Sequence, residues 1–318
     1  MRIVFMGTPD FAVAALNRIA EAGHEILAVY TQPDRPKGRS GKLVPSPVKE
    51  AAEKLGVPVK QPVKLKAEME EHVAYLQSLA PEMIVVAAFG QILPEAILQI
   101  PPLGCVNIHA SLLPKYRGAA PIERSILDGE EKTGITTMLM AKGLDTGDIL
   151  EQAETPILPT DTGESLTERL AGMGGELILS TMDKLARGEI KSVKQDDALA
   201  TYAAMLNKEM GELDFSCTAA EAERKIRALT PRPGAYTSLD GEKRLILTEA
   251  QITDGSGEPG TILEVTKKYF TVACGNGALK IKKLQPEGKK PMDAAAFLNG
   301  NRLQPGEKMK RLGGEPVA

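Results

Sequence analysis

The stretch Arg2-Ile3-Val4-Phe5-Met6, closed by Gly7-Thr8-Pro9-Asp10, decides the fold of the first half of the chain. Apolar residues run through it without alternation, the pattern of a strand buried on both faces in a parallel sheet. Residues 11–22 then carry apolar side chains at helical spacing and stop at Gly23, and residues 26–30 form a second short strand. Strand, helix and strand within about 30 residues make a βαβ unit, so a parallel, right-handed sheet follows. The first turn is not Gly-x-Gly-x-x-Gly, and Pro9 removes a backbone donor. Both points argue against a dinucleotide site at this turn.

Moving outward, residues 47–55 predict a helix with Ser46 as N-cap and Pro47 in its first turn. A short strand over 57–60, a helix over 67–79, a central strand over 83–89 and a short helix over 94–100 come next. His72 lies among Glu70, Glu71 and Gln77 and is placed on the surface, while His24 follows a helix end in a turn or capping role. Beyond these lies Cys105-Val-Asn-Ile-His-Ala-Ser-Leu-Leu-Pro-Lys-Tyr-Arg-Gly118. Side chains alternate along a strand, so Asn107 and His109 share one face while Val106 and Ile108 share the other. An amide donor and a base that titrates near neutrality can serve attack on a carbonyl. The same residues equally fit a core strand that ends in two polar side chains. Cys105 is expected to be a small buried apolar residue.

A helix over 119–127, a strand over 135–140, an edge strand over 149–157 and a long helix to about Gly188 complete this region. Ser165-Leu-Thr-Glu168 has the capping-box pattern for the start of the long helix. Asp145 sits in Lys142-Gly-Leu-Asp-Thr-Gly-Asp148, where two glycines shape a tight turn after a strand. It either presents a carboxylate or caps its own turn. Residues 191–207 are polar with weak periodicity and are expected to be an interdomain linker. Beyond them come a helix over 217–229 and five or six short runs punctuated by Asp240-Gly241 and Gly275-Asn276-Gly277. These are hairpin signals, and the pattern predicts a small antiparallel barrel with a helix over 293–298 packed on it. The fold class is therefore α/β. A Rossmann-like, mostly parallel sheet domain over residues 1–190 precedes a linker over 191–207 and an OB-like antiparallel β-barrel domain over 208–318.

Composition agrees with two soluble globular domains: 318 residues, 42% hydrophobic and 25% charged. No stretch reaches the length of a membrane span, and the apolar N-terminus is too short for a signal-peptide core. Three scattered cysteines and three scattered histidines form neither a disulfide framework nor metal-ligand spacing, so a reducing cytoplasm and metal-free chemistry are expected. Charge is uneven. Residues 1–207 hold 21 basic and 27 acidic side chains, and residues 208–318 hold 18 and 15. The long loop over 32–47 carries Arg35, Lys37, Arg39 and Lys42 against one Asp34, and Lys280, Lys282 and Lys283 crowd one barrel strand. Both suit a phosphate backbone, and both also fit ordinary solvated lysine-rich surface.

Several of these stretches together carry a resemblance. Residues 6–12 (Met-Gly-Thr-Pro-Asp-Phe-Ala), 32–39 (Gln-Pro-Asp-Arg-Pro-Lys-Gly-Arg) and 45–49 (Pro-Ser-Pro-Val-Lys) belong to it. So do 107–114 (Asn-Ile-His-Ala-Ser-Leu-Leu-Pro), 116–122 (Tyr-Arg-Gly-Ala-Ala-Pro-Ile) and 143–148 (Gly-Leu-Asp-Thr-Gly-Asp). Along its whole length the chain resembles the methionyl-tRNA formyltransferases. The Asn-x-His pair and later Asp mark the wider folate-dependent formyltransferase superfamily. The basic loop and the turn Pro233-Gly-Ala-Tyr236 narrow it to the tRNA-acting branch. Arg232 stands where an aromatic residue is expected, a departure that bears on local packing alone.

The resemblance implies formyl transfer from 10-formyltetrahydrofolate to the α-amine of methionine on initiator tRNA. It puts the catalytic trio on Asn107, His109 and Asp145, and folate contacts on Ser111, Leu112, Leu113 and Pro114. The tRNA-inserting loop falls on residues 34–43. No metal is implied, and a cytoplasmic monomer without membrane contact is expected. The competing readings are a formyltransferase on an amino-sugar nucleotide or glycinamide ribotide, a formyltetrahydrofolate hydrolase or dehydrogenase module, and a non-catalytic RNA-binding protein on the same fold. Neither small-acceptor transferase accounts for the cationic loop plus basic barrel, and retention of all three polar site residues argues against the last.

Overall fold

The computed structural model describes residues 1–37 and 41–313. Arg39 and the side chain of Lys37 lie outside the described residues. By its contacts the chain divides into two compact units. One comprises Met1–Pro121, Lys132–Pro156 and Thr167–Ala203, and the other Ile122–Glu131, Ile157–Leu166 and the described residues from Ala204 onward.

In the first unit the sheet is built from β1 (Arg2–Gly7), β2 (Glu25–Tyr30), β5 (Val59–Lys60), β6 (Met83–Ala87), β7 (Cys105–His109), β9 (Lys132–Leu139) and β10 (Ile149–Pro156). Their order is β10-β9-β7-β6-β1-β2-β5. The pairs from β5 to β7 are parallel, while β9 and β10 are antiparallel additions. Ile3 to Met6 are all fully buried, as the unbroken apolar run predicted. The connecting helices are α1 (Asp10–Glu21), α2 (Pro47–Lys54), α3 (Met69–Leu79), α4 (Glu95–Leu98) and, from Thr167 onward, α6 (Gly163–Ala186), while α5 (Pro121–Leu127) falls with the second unit from Ile122. Ser46 caps α2 by accepting from the Lys49 N–H at 3.1 Å. One core gathers Val4, Met6, Tyr30, Leu76, Ile84, Val86 and Cys105 with Ile97 of α4. Each side chain so buried contributes about 1.5–3 kcal/mol. β9 and β10 are tied to α6 through polar groups: Thr137 shares a 2.8 Å hydrogen bond with Thr181, and Glu151 accepts from Ser180, Thr181 and Lys184.

Four expectations change. The loop over 32–47 is not wholly irregular, because β3 (Arg35–Lys37) and β4 (Lys42–Val44) pair as a short antiparallel hairpin. His72 is 4% exposed rather than on the surface. It shares a helix face with Leu76, and its Nδ1 lies 3.3 Å from the Tyr30 hydroxyl. The acidic neighbours misled because they occupy the other face. The long helix starts before Ser165: Thr162 and Ser165 exchange hydrogen bonds around its first turn, so Ser165 is inside the helix. The polar stretch 191–203 packs on the first unit, where Val193 bridges Ile149 and β11 (Tyr202–Ala203) pairs in parallel with β8 (Arg117–Gly118).

The second unit holds α7 (Ala219–Leu229), β12 (Ala235–Thr237), β13 (Leu245–Thr253), β14 (Ile262–Val265), β15 (Phe270–Ala273), β16 (Ala278–Pro286), β17 (Met292–Asp293) and α8 (Ala294–Gly300). Helix α7 begins two residues later than predicted because Thr218 and Glu221 form a reciprocal capping box. The antiparallel sheet runs β12-β13-β16-β15-β14, with β17 on β16. Its ends are joined by the segment after α8. Lys310 exchanges backbone bonds with Ser238 beyond β12, and Glu307 and Met309 bond Ile262 and Gly260 at β14. The segment after α8 thereby covers part of both edges of the sheet. The interior is apolar, with Phe215, Leu247, Phe270, Leu279, Ile281 and Met309 all fully buried.

Candidate active site

In the strand order, β2 and β5 lie to one side of β1 while β6 and β7 lie to the other. The chain thus reverses direction between β1 and β6. In open α/β sheets the crevice beyond the carboxyl ends of the strands at such a reversal is where ligands bind. β7 ends next to that crevice, with Asn107 paired across the sheet to Val86 and Met138. Cys105 points its sulfur towards the carbonyls of Ile97 and Leu98. By the two-residue period Asn107 and His109 lie on that same face. Burial pushes the Cys105 thiol up to about 12, so it behaves as an apolar filler.

Asn107 and His109 are 8% and 6% exposed. The imidazole Nε2 lies 2.6 Å from the backbone carbonyl of Tyr116. A carbonyl can only accept, so the ring proton sits on Nε2 and Nδ1 keeps its lone pair. Ser111 strengthens this arrangement. Its hydroxyl donates to the same carbonyl at 3.0 Å and accepts from the Tyr116 N–H at 3.0 Å. His109 Nδ1 faces Asp145 Oδ1 at 3.8 Å, too long for a hydrogen bond but within ion-pair reach. Strand end and turn are thus brought together.

Asp145 is held at several points. Its backbone is in the left-handed region, φ 53°, which Asp tolerates better than most residues. Its Oδ2 accepts from the Gly118 N–H at 2.8 Å. Gly118 itself has φ 110°, and a Cβ there would lie 2.5 Å from the Ala203 carbonyl, so only glycine lets β8 and β11 meet. The backbone carbonyl of Asp145 accepts from Gln195 Nε2 at 2.8 Å. Gln195 and its partner Arg117 are 5% and 2% exposed. Sequence reasoning missed Gln195. It lies in a polar stretch with no periodicity, where nothing marks an amide that becomes buried.

The turn 111–114 divides in role. Thr136 Oγ1 donates to the Ser111 carbonyl at 2.6 Å and accepts from the Leu113 N–H at 3.1 Å. Gln152 donates to the Leu113 carbonyl at 2.9 Å. Ser111 and Leu113 are therefore buried and spent on fixing the turn, while Leu112 and Pro114 remain partly exposed. The Leu112 side chain lies against Gly134 of β9.

Arg35 and Lys42 are exposed on the β3–β4 hairpin. Asp34, the one acid in the loop, is occupied: Lys49 and Gln61 hydrogen-bond it, Lys49 at 2.8 Å and Gln61 at 2.7 Å, and hold its carboxyl below the usual range. In the second unit the Lys280 and Lys282 ammonium groups lie 4.5 and 5.4 Å from the ring centre of Tyr269. Lys283 is paired with Glu249 at 2.8 Å, so the three lysines do not form one uniform patch. Among the described residues no helix is long and apolar enough to cross a membrane, and no three His, Cys, Asp or Glu side chains gather as a metal set would.

Residues 1–182 match the model of the formyl transferase family, and residues 205–302 match that of the formyl transferase C-terminal domain. A methionyl-tRNA formyltransferase of Citrifermentans bemidjiense is 51% identical over 306 residues, covering 96% of this chain and 95% of that protein. Another from Geobacter sulfurreducens is 49% identical over 313 residues, covering 98% of each. Among solved structures, a sugar 3N-formyltransferase, WlaRD, solved with dTDP and 5-N-formyl-THF, matches with a TM-score of 0.65 at 20% identity, over 91% of this chain and 99% of that one. HypX from Aquifex aeolicus, in complex with tetrahydrofolic acid, matches with a TM-score of 0.64 at 19% identity. That match covers 94% of this chain, which spans 47% of HypX.

Proposed function

Because this chain belongs to the formyl transferase family, within its methionyl-tRNA formyltransferases, we infer that Asn107, His109 and Asp145 carry the transfer of a formyl group to an amine. The protein transfers the formyl group of 10-formyltetrahydrofolate to the α-amine of methionine on initiator methionyl-tRNA, giving N-formylmethionyl-tRNA for translation initiation. The folate, when bound, supplies the formyl carbon that the amine attacks. Attack puts negative charge on the formyl oxygen and leaves the amine with a proton to lose, and transfer is completed when the bond from the formyl carbon to the folate nitrogen breaks and that nitrogen gains a proton. Asn107 answers the first need: its side-chain amide donates to the developing oxyanion, an effect worth about 2.7–4 kcal/mol at the barrier. His109 answers the second through Nδ1, the nitrogen that its bond to the Tyr116 carbonyl leaves open. Asp145 steadies the charged ring 3.8 Å away and keeps its orientation.

The observation that carries this reading is the 2.6 Å bond from His109 Nε2 to a carbonyl, because it turns a buried histidine into a base of one defined nitrogen. Leu112 and Pro114 contact the folate, with Ser111 and Leu113 holding the turn behind them. Arg35, Lys37, Arg39 and Lys42 grip the tRNA backbone, joined more weakly by Lys280, Lys282 and Lys283. A cytoplasmic monomer goes with this reading, since charged initiator tRNA is used there. The test offers labelled 10-formyltetrahydrofolate with either methionyl initiator tRNA or small amine acceptors. Formyl-methionyl-tRNA is the expected product. Formylation of the small acceptors alone, or of nothing, contradicts it.

A further inference from the structure

The segment from Val193 to Ala203 does more than lead out of the first unit. Val193 exchanges two 2.8 Å backbone bonds with Ile149, just after the Asp145 turn. Tyr202 and Ala203 run alongside Arg117 and Gly118, and the Arg117 N–H donates to the Thr201 carbonyl at 2.7 Å. Between these two anchors sits Gln195. Its Nε2 donates to the carbonyls of Asp145 and Gly147, at 2.8 and 2.7 Å. Its Oε1 accepts from Arg117 Nε at 3.1 Å and Nη2 at 3.0 Å. Every hydrogen-bonding position of the amide is used. Arg117 is steadied in turn by Asp197, 2.7 Å from Nη2.

We propose that Gln195, locked by Arg117, is a positioning residue that sets the Asp145 carboxylate against His109. This inference rests on the assignment of Asp145 made above. A left-handed aspartate persists only where its surroundings hold it there. Here the main chain is held by Gln195, which Arg117 locks, and the side chain by the Gly118 N–H, so both holds trace to neighbouring residues of β8. Arg117 supplies its backbone to the ladder of β8 on β11 and its side chain to Gln195. The choice of an amide has a physical reason. A guanidinium or ammonium reaching these carbonyls directly would bring a second cation to Asp145 and compete with His109 for the carboxylate. Gln195 passes on the fixed position of Arg117 through neutral N–H donors.

Gln195→Glu isolates the donor face, because the new carboxylate still accepts from Arg117 but offers no N–H to the two carbonyls. Turnover is expected to fall about 10- to 100-fold, with KM for tRNA and for the folate within about threefold of the parent. In the ligand-free protein, hydrogen exchange at the Gly118 amide, followed by NMR, is expected to quicken by about tenfold or more while strand amides of β7 keep their protection. In an Asp145→Ala background the same change is expected to cost less than about threefold more, because a residue acting through Asp145 has nothing left to position. Parental turnover, an unmoved Gly118 amide, or an equal further loss in the Asp145→Ala background would overturn the proposal. Parental turnover of Asp145→Ala alone would instead overturn the site assignment beneath it. Should Gln195→Glu not fold, Gln195→Met removes the donors without adding charge, and the same cycle is read on it.

Discussion

The end of β7 and the β3–β4 hairpin are opposite kinds of structure. At the strand end, Asn107, His109, Ser111 and Arg117 are all less than a tenth exposed, and Thr136, Asp145 and Gln195 meet Ser111, His109 and Arg117 from elsewhere in the chain. On the hairpin, Arg35 and Lys42 are exposed on a three-residue pairing. Bond making needs donors already in place, because reorganising them during the reaction raises the barrier. Holding a polyanion needs charge and reach, and side chains free to settle on phosphates at binding. The comparison predicts a clean division: strand-end variants lose rate at saturation, and hairpin variants lose tRNA affinity.

The largest effects are expected at the strand end. Asn107→Ala should lower kcat by about 10²–10³, with the unfolding midpoint little changed, read by steady-state kinetics beside thermal melts. A fall confined to KM would break the division. Next comes Gly118→Ala, where the new Cβ meets the Ala203 carbonyl at a positive φ. A loss of about 1–3 kcal/mol in unfolding free energy and about tenfold in kcat is expected, since the Asp145 partner moves with the ladder. Neutralising Arg35, Lys37, Arg39 and Lys42 together should raise KM for tRNA by about tenfold or more and flatten the salt dependence of tRNA binding by about three in log–log slope. KM for the folate should stay put, and equal losses for both substrates would contradict a tRNA-facing hairpin. Smallest of all, Lys280→Ala with Lys282→Ala should cost about three- to fivefold in KM for tRNA, and Lys283→Ala, already bound by Glu249, less than about twofold.

The two regions also differ in how plainly the sequence declared them. Apolar runs and their punctuation identified the parallel strands and the barrel hairpins, because burial and turn chemistry act within a few residues. Asn107 and His109 could be placed on one face from the two-residue period alone, and Asp145 stood out between two glycines. What held them could not be read. Gln195 lies 50 residues from Asp145, and its burial depends on a ladder between Arg117 and Tyr202 that no local pattern announces. His72 was hidden for the related reason that charged neighbours occupy the far side of its helix while it packs against Tyr30. Which nitrogen of His109 is bonded and which is left open became clear only from the Tyr116 carbonyl, which folds back from seven residues away. Local chemistry was legible, and long-range satisfaction of polar groups was not.

The most direct test is single-turnover formyl transfer at saturating methionyl initiator tRNA and folate, run on His109→Ala and on the hairpin-neutralised variant side by side. His109→Ala is expected to slow the step by at least about 100-fold while the hairpin variant stays within about threefold of the parent. A folded His109→Ala protein that transfers formyl at near the parental rate would contradict the assignment of His109.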